Sequence, residues 1–147
     1  MFKNILIPVD GTELAERAMQ AGIALAQQLD ASITAFIAEP PAPPRPAGCG
    51  ALRYERDLEQ HKHATAEHAQ GVLTGFERLA AAAGVRFSGV HALTFHVDEA
   101  IADTARALGC GMIVMVKHGR GPYGETLFGS RTKGVMARSR LPLLVLH

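Results

Sequence analysis

Four short, mostly apolar runs leave this chain little choice of fold: Ile5-Leu6-Ile7-Pro8-Val9, Ile33-Thr34-Ala35-Phe36-Ile37-Ala38, Met112-Ile113-Val114-Met115-Val116 and Leu143-Leu144-Val145-Leu146. Each is too short for a helix, and each is continuous rather than alternating, the pattern of a strand buried on both faces of a parallel sheet. A fifth run, Phe87 to Leu93, alternates weakly. Parallel neighbours cannot be joined by a tight turn and need a crossover of a dozen or more residues. The intervals supply helical patterns of that length. Leu14, Ala18, Ala21, Leu25 and Leu29 recur by threes and fours, with Asp10 and Glu13 placed as an acidic cap and first turn. Tyr54, Leu58, His61, Thr65, Ala69, Val72, Phe76, Leu79 and Ala83 form one long stripe, closed by Gly84. Val97, Ile101, Ala105 and Leu108 mark a third helix, opened by Asp98 and Glu99 and closed by Gly109. A last helix starts at Gly129-Ser130, carries Arg138 and Arg140 at its C-terminal end, and stops before Pro142. The expectation is one α/β domain over residues 1–147, doubly wound, with five parallel strands, about four helices and right-handed crossovers.

Composition narrows the function classes. The chain is 48% hydrophobic and 20% charged, which excludes a disordered tail protein. Fifteen basic against fourteen acidic residues leave a net charge of +1, so nothing global draws it to nucleic acid or to an anionic membrane. No apolar run approaches the roughly 18 residues of a membrane span, and Met1-Phe2-Lys3-Asn4 carries no cleavage-site signature. Cys49 and Cys110 are too few for a disulfide framework and lack metal-ligand spacing. A soluble, cytoplasmic protein is expected.

Glu39 to Gly50 holds five of the eight prolines, which makes it a stiff, extended loop. It reads either as a surface connection or as a proline-rich ligand for another domain. Since it leaves the second strand at the sheet's carboxyl edge, it is expected to border the mouth of a pocket there.

Ligands of open α/β sheets bind beyond the carboxyl ends of the strands, at the switch in strand order. The residues to weigh are therefore Asp10, Gly11 and Thr12 after the first strand, Ala38 and Glu39 after the second, and Lys117-His118-Gly119-Arg120-Gly121 after the fourth. Glycines allow close backbone approach, and Gly129-Ser130 at a helix start offers N–H groups and a positive dipole end. With Lys117 and Arg120 on the approach, an anion such as a phosphate chain fits. The competing reading is a glycine-rich turn with a capping serine. Neither GxxxxGK[ST] nor a GxGxxG after the first strand occurs. Asp10 reads equally as a ligand to ribose or metal and as a helix cap. His61, His63 and His68 share one helix; His63 and Glu67 have an i, i+4 spacing, but the set reads as a solvated or partly packed face rather than a metal site.

The opening Lys3-Asn4-Ile5-Leu6-Ile7-Pro8-Val9-Asp10-Gly11-Thr12 and the tail His118-Gly119-Arg120, Gly129-Ser130 and Leu141-Pro142-Leu143-Leu144-Val145-Leu146 resemble the universal stress protein family. The likeness spans the whole chain. It implies a Rossmann-like sheet of order 3-2-1-4-5, a homodimer paired through the C-terminal strand, and ATP, accompanied by magnesium, as ligand. The family's motif is Gly, two residues, Gly, nine residues, then Gly with Ser or Thr. Here Gly119, the nine residues from Arg120 to Phe128, and Gly129-Ser130 match it, while Val116 stands where the first glycine belongs. By this likeness Asp10 lies near base and ribose, with Pro8 and Val9 leading into it, and Ala38 lies by the adenine; Thr12, two residues on, is counted with the binding residues. Val116 lies where ribose or phosphates come close. The N–H groups of Gly119, Gly129, Ser130 and Arg131 face the phosphates, and Arg120 adds charge on the approach. His118, which could touch a phosphate, is by the likeness more a loop-shaping residue. No nucleophile–base pair stands out, so at most slow ATP hydrolysis is expected, and no nucleic-acid or membrane partner. The implied function is a nucleotide-responsive module of the stress response; the alternative is a nucleotide-free dimeric interaction protein of the same fold.

Overall fold

The computed structural model describes residues 1–117 and 130–147. Its elements follow in the order β1 (Asn4–Pro8), α1 (Glu13–Leu29), β2 (Ser32–Glu39), α2 (Ala51–Ala82), β3 (Phe87–Leu93), α3 (Val97–Ala107), β4 (Met112–Val116), α4 (Ser130–Arg138) and β5 (Leu143–Leu146). The strands form one sheet, ordered β3-β2-β1-β4-β5 and parallel throughout. Both the doubly wound class expected from the sequence and the strand order that the resemblance implies are therefore realised. Among the described residues no helix is long and apolar enough to cross a membrane.

Strand parity explains why the central runs are continuously apolar. Ile5, Ile7 and Val9 of the first run, with Ile33, Ala35 and Ile37, face α1 and the C-terminal half of α2, meeting Met19, Ile23, Leu73 and Phe76. The alternate residues Leu6, Phe36, Ile113 and Met115 face the other way, against Ile101 and Ala105 of α3 and Val135 of α4. Each face needs its own apolar set, so neither can be polar. At the amino edge, Asn4 Oδ1 accepts from Ser32 Oγ at 3.2 Å and Thr34 Oγ1 at 3.1 Å, and Asn4 Nδ2 donates to Cys110 Sγ at 3.3 Å. Cys110 is buried there, and burial pushes its thiol up from the ordinary value.

Helix ends follow local chemistry, with one correction. Thr12, not Asp10, is the N-cap of α1: its hydroxyl accepts from Ala15 N–H at 3.3 Å. Asp10 stands one step back and accepts from Thr12 N–H at 3.1 Å and Thr12 Oγ1 at 2.6 Å. Glu13 and Glu16 fill the acidic first turn. Gly84 and Gly109 take the left-handed φ values of 72° and 61° expected of glycines closing α2 and α3.

The stripe on α2 also departs from expectation. Its buried residues are Ala69, Leu73, Phe76 and Ala80, whereas Leu79 is 41% exposed. A strict seven-residue repeat (Leu58, Thr65, Val72, Leu79) drifts by about 20° per step on a straight helix, and this carries Leu79 off the core face. The N-terminal half of α2 runs past the sheet, since His68 already meets Glu39 at the end of β2. That leaves residues 51–67, a length of about 25 Å, beyond the carboxyl edge. The proline segment lies along it: Tyr54 Oη donates to the Pro43 carbonyl at 3.1 Å and His61 Nε2 to the Pro40 carbonyl at 2.9 Å.

Helix α1 comes close to the sheet at Gly22, where an added Cβ would stand 2.2 Å from Ile7 Cδ1. Gly22→Val is expected to lower stability by about 2–3 kcal/mol through overpacking. Urea unfolding checks this: the midpoint falls while the slope stays constant.

Candidate functional site

The site lies where the ladder between the central strands runs into a missing hydrogen-bond donor. In a strand the peptide groups point alternately to the two sides. Asn4 O accepts from Gly111 N–H at 2.9 Å, so even-numbered residues of β1 face β4; Val9 N–H donates to Phe36 O at 2.8 Å, so odd-numbered ones face β2. Pro8 thus turns its nitrogen toward β4, and that nitrogen carries no hydrogen. Accordingly the β1–β4 register holds at Ile5↔Met112 and Leu6↔Ile113 and goes no further, while β1 and β2 pair to Pro8↔Phe36. Beyond Leu6, β4 follows β5 to Val116↔Leu146. The ladder between the two central strands stops there, at the point where the strand order switches.

A cavity of 260 Å³ lies beside that point. Pro8, Val9 and Asp10 form one wall, Phe36 and Ala38 of β2 the back, and Met115 and Val116 of β4 the facing wall. Val97 of α3 and Ala15 of α1 close its sides, and Ser130, Arg131 and Thr132 of α4 bring in a helix N-terminus. The first N–H groups of a helix lack intrahelical acceptors and carry its positive dipole end, so this wall suits an anion. Ser130 and Arg131 are exposed there; Thr132 is buried. The opposite wall is apolar apart from Asp10. The chemistry divides into a flat apolar slot beside Ala38 and Phe36 and a polar, anion-attracting rim at α4. α4 is anchored to α3, with Arg138 Nη1 at 2.9 Å from Asp98 Oδ2. Gly134 permits this approach, since a Cβ there would lie 2.2 Å from the Asp98 carboxylate.

Of the residues singled out in the sequence, Pro8, Val9, Asp10, Ala38, Val116, Ser130 and Arg131 line this cavity together. Thr12 does not line it but holds Asp10 and caps α1. Val116 packs its side chain toward the α1 side of the sheet while reaching the cavity wall. His118, Gly119, Arg120 and Gly129 lie outside the described residues. The sequence reading missed Ala15, Phe36, Val97, Met115 and Thr132. Phe36 was legible by parity, two residues before Ala38 on the same face; Val97 and Thr132 have no local signal. No residue from 40 to 50 lines the cavity, so the proline loop does not border its mouth as expected; α2 draws it aside.

On the opposite face of the same edge, Glu39 meets His68 Nδ1 with one oxygen and faces His91 Nε2 at 3.7 Å with the other. Glu39 Oε2 and His91 Nε2 are buried without a hydrogen-bond partner in the described structure. His68 also stands near the Gly11 turn, its Nε2 3.8 Å from where a Cβ would be. This cluster fixes α2 against the end of β2. His61, His63 and His68 thus serve the proline segment, Glu67 and Glu39 respectively.

A family model described as the universal stress protein family matches residues 1–147. The search among curated proteins gives no match. Among solved structures, the universal stress protein UspA from Lactobacillus plantarum is 20% identical with a TM-score of 0.77, covering 99% of this chain and 98% of its own. A universal stress protein in complex with cAMP is 19% identical, with a TM-score of 0.70 and coverage of 99% and 97%. The universal stress protein from Archaeoglobus fulgidus in complex with dAMP is 15% identical, with a TM-score of 0.67 and full coverage of both chains, 100% and 100%.

Replacing the proline at the end of the β1–β4 ladder tests what halts it. Pro8→Ala restores an N–H on the β4 side and is expected to add one ladder bond, worth about 1 kcal/mol. Hydrogen exchange should find the amide gained at this position protected, and the denaturation midpoint should rise.

Proposed function

Because the chain belongs to the universal stress protein family, we propose that it is a stress-related module that binds an adenine nucleotide, ATP with its magnesium, in the cavity between β1 and β4. The observation that carries this reading is the pairing of an apolar slot with a helix N-terminus across the cavity. Complexes of similar folds with cAMP and dAMP support an adenine ligand. The purine would lie against Ala38 and Phe36, and Asp10, held by Thr12, would accept from the ribose hydroxyls. The first-turn N–H groups at Ser130 and Arg131, with the Arg131 charge, would receive the phosphates. Gly119 and Gly129, with His118 and Arg120, complete the phosphate side on the family motif. The triphosphate brings magnesium as its counter-ion, and the chain's contribution is to bind and orient. On this reading the bound state itself is the output, with at most slow hydrolysis of the nucleotide.

Val116 sets the affinity. The family glycine at this position allows close approach and free φ; valine brings a branched side chain at the cavity wall. Loss of one or two hydrogen bonds of about 1–1.5 kcal/mol each corresponds to roughly ten- to a hundredfold weaker binding. Calorimetric titration with ATP and magnesium is expected to give weak binding to the native protein and tighter binding by that factor to Val116→Gly. No heat from either protein, with no nucleotide released by acid from the purified chain, would transfer the conclusion to a nucleotide-free interaction protein.

The proposed assembly is a homodimer through β5. This strand lies at one edge of the sheet, with Leu144 39% exposed. An apolar edge near the chain end is a pairing surface unless covered. Sedimentation is expected to give twice the chain mass at micromolar concentration, and Val145→Pro to give the monomer with reduced stability.

A further inference from the structure

The segment after β2 is absorbed neither by the cavity nor by the core. It reads Pro40-Pro41-Ala42-Pro43-Pro44-Arg45-Pro46. Proline fixes its own φ near −65° and forces the preceding residue into extended backbone. Glu39, Pro40, Ala42, Pro43 and Arg45 all precede a proline, so the strap has little freedom beyond a left-handed polyproline helix with three residues per turn.

The structure adds a second, independent constraint. The Pro40 and Pro43 carbonyls, three residues apart, accept from His61 and Tyr54, which are seven apart on α2. One turn of polyproline helix advances about 9 Å, and two turns of α-helix about 10.5 Å. The two pitches match, so the strap is seated antiparallel on the helix with successive turns bonded at equivalent points. The edge that repeats every third residue, Pro40, Pro43 and Pro46, is left exposed, together with Pro44 and Arg45. Arg45 Nε donates to the Cys49 carbonyl at 2.8 Å, which fixes the side chain at the end of the strap.

We propose that this strap is a preassembled polyproline ligand for the aromatic-lined groove of a partner protein's proline-recognition domain, with Arg45 meeting an acidic group at the groove's end. Such grooves take prolines three apart from an already extended chain, and holding that chain in its bound form removes an ordering cost. The chemistry on the page selects this occupant: an exposed proline ridge in register, one flanking cation, and backbone carbonyls already committed to α2. No strap residue lines the cavity proposed for the nucleotide, so the inference does not rest on that proposed function.

The probe is an isolated SH3 domain that takes Pro-x-x-Pro-x-Arg ligands, titrated into the isotope-labelled full chain, with a peptide of residues 39–47 as comparison. The expected result is saturable binding, amide shifts confined to the strap and the α2 face beneath it, and affinity about threefold or more above the peptide's. Pro43→Ala and Arg45→Glu should each weaken binding about tenfold, with the circular dichroism spectrum and ATP titration unchanged. Absence of saturable binding, binding no tighter than the peptide's, shifts mapping elsewhere, or full affinity in both variants would each overturn the proposal.

Discussion

The absent hydrogen on the Pro8 nitrogen is the constraint from which the rest of the functional architecture follows. A parallel sheet gains by continuing its ladder, and β1 does so with β2 as far as the strand lasts. On the β4 side the ladder stops after Leu6↔Ile113, because the next inward-facing peptide group has nothing to donate. A proline in a central strand is ordinarily a fault. Here it sits at the last residue of β1, where the lost bond ends the ladder without disrupting the core, and the cavity beside it is the one to which α4 presents its N-terminus.

Much of this was legible in the residues because burial on both faces leaves a strong signature. The runs at Phe87–Leu93, Met112–Val116 and Leu143–Leu146 coincide with the observed strands. Glycines 84 and 109 marked helix ends because a left-handed φ leaves few alternatives. What escaped depended on three-dimensional choices between residues of like chemistry. Asp10 and Thr12 are both good cap residues; only the path of the turn decides that the hydroxyl caps and the carboxylate braces it. Leu79 fits a seven-residue repeat yet rotates into solvent.

The candidate site was half legible. Residues following the strands were found because topology puts ligands there. Val97 and Thr132 line the cavity from α3 and α4, and no local pattern in the chain marks them for it. The path of the proline strap was hidden for a related reason. A segment with few N–H groups has no periodic pattern of its own to indicate its partner, and its position follows from two donors on α2.

The short β1–β4 ladder also divides the chain into consecutive parts. Residues 1–93 supply β3, β2 and β1 with α1 and α2; residues 94–147 supply α3, β4, α4 and β5. Two register pairs, the apolar face of α1 over Val114 and Val116, and the packing of Leu6 and Phe36 on Ile101, Ala105 and Val135 join them across the sheet. Any molecule seated in the cavity touches Pro8–Asp10 on one side and Met115, Val116 and α4 on the other. By thermodynamic linkage, its occupancy and the cohesion of the two parts are one equilibrium. The occupant works as a staple, and whatever pries the seam apart, be it heat, pressure or force, is registered as a lower affinity.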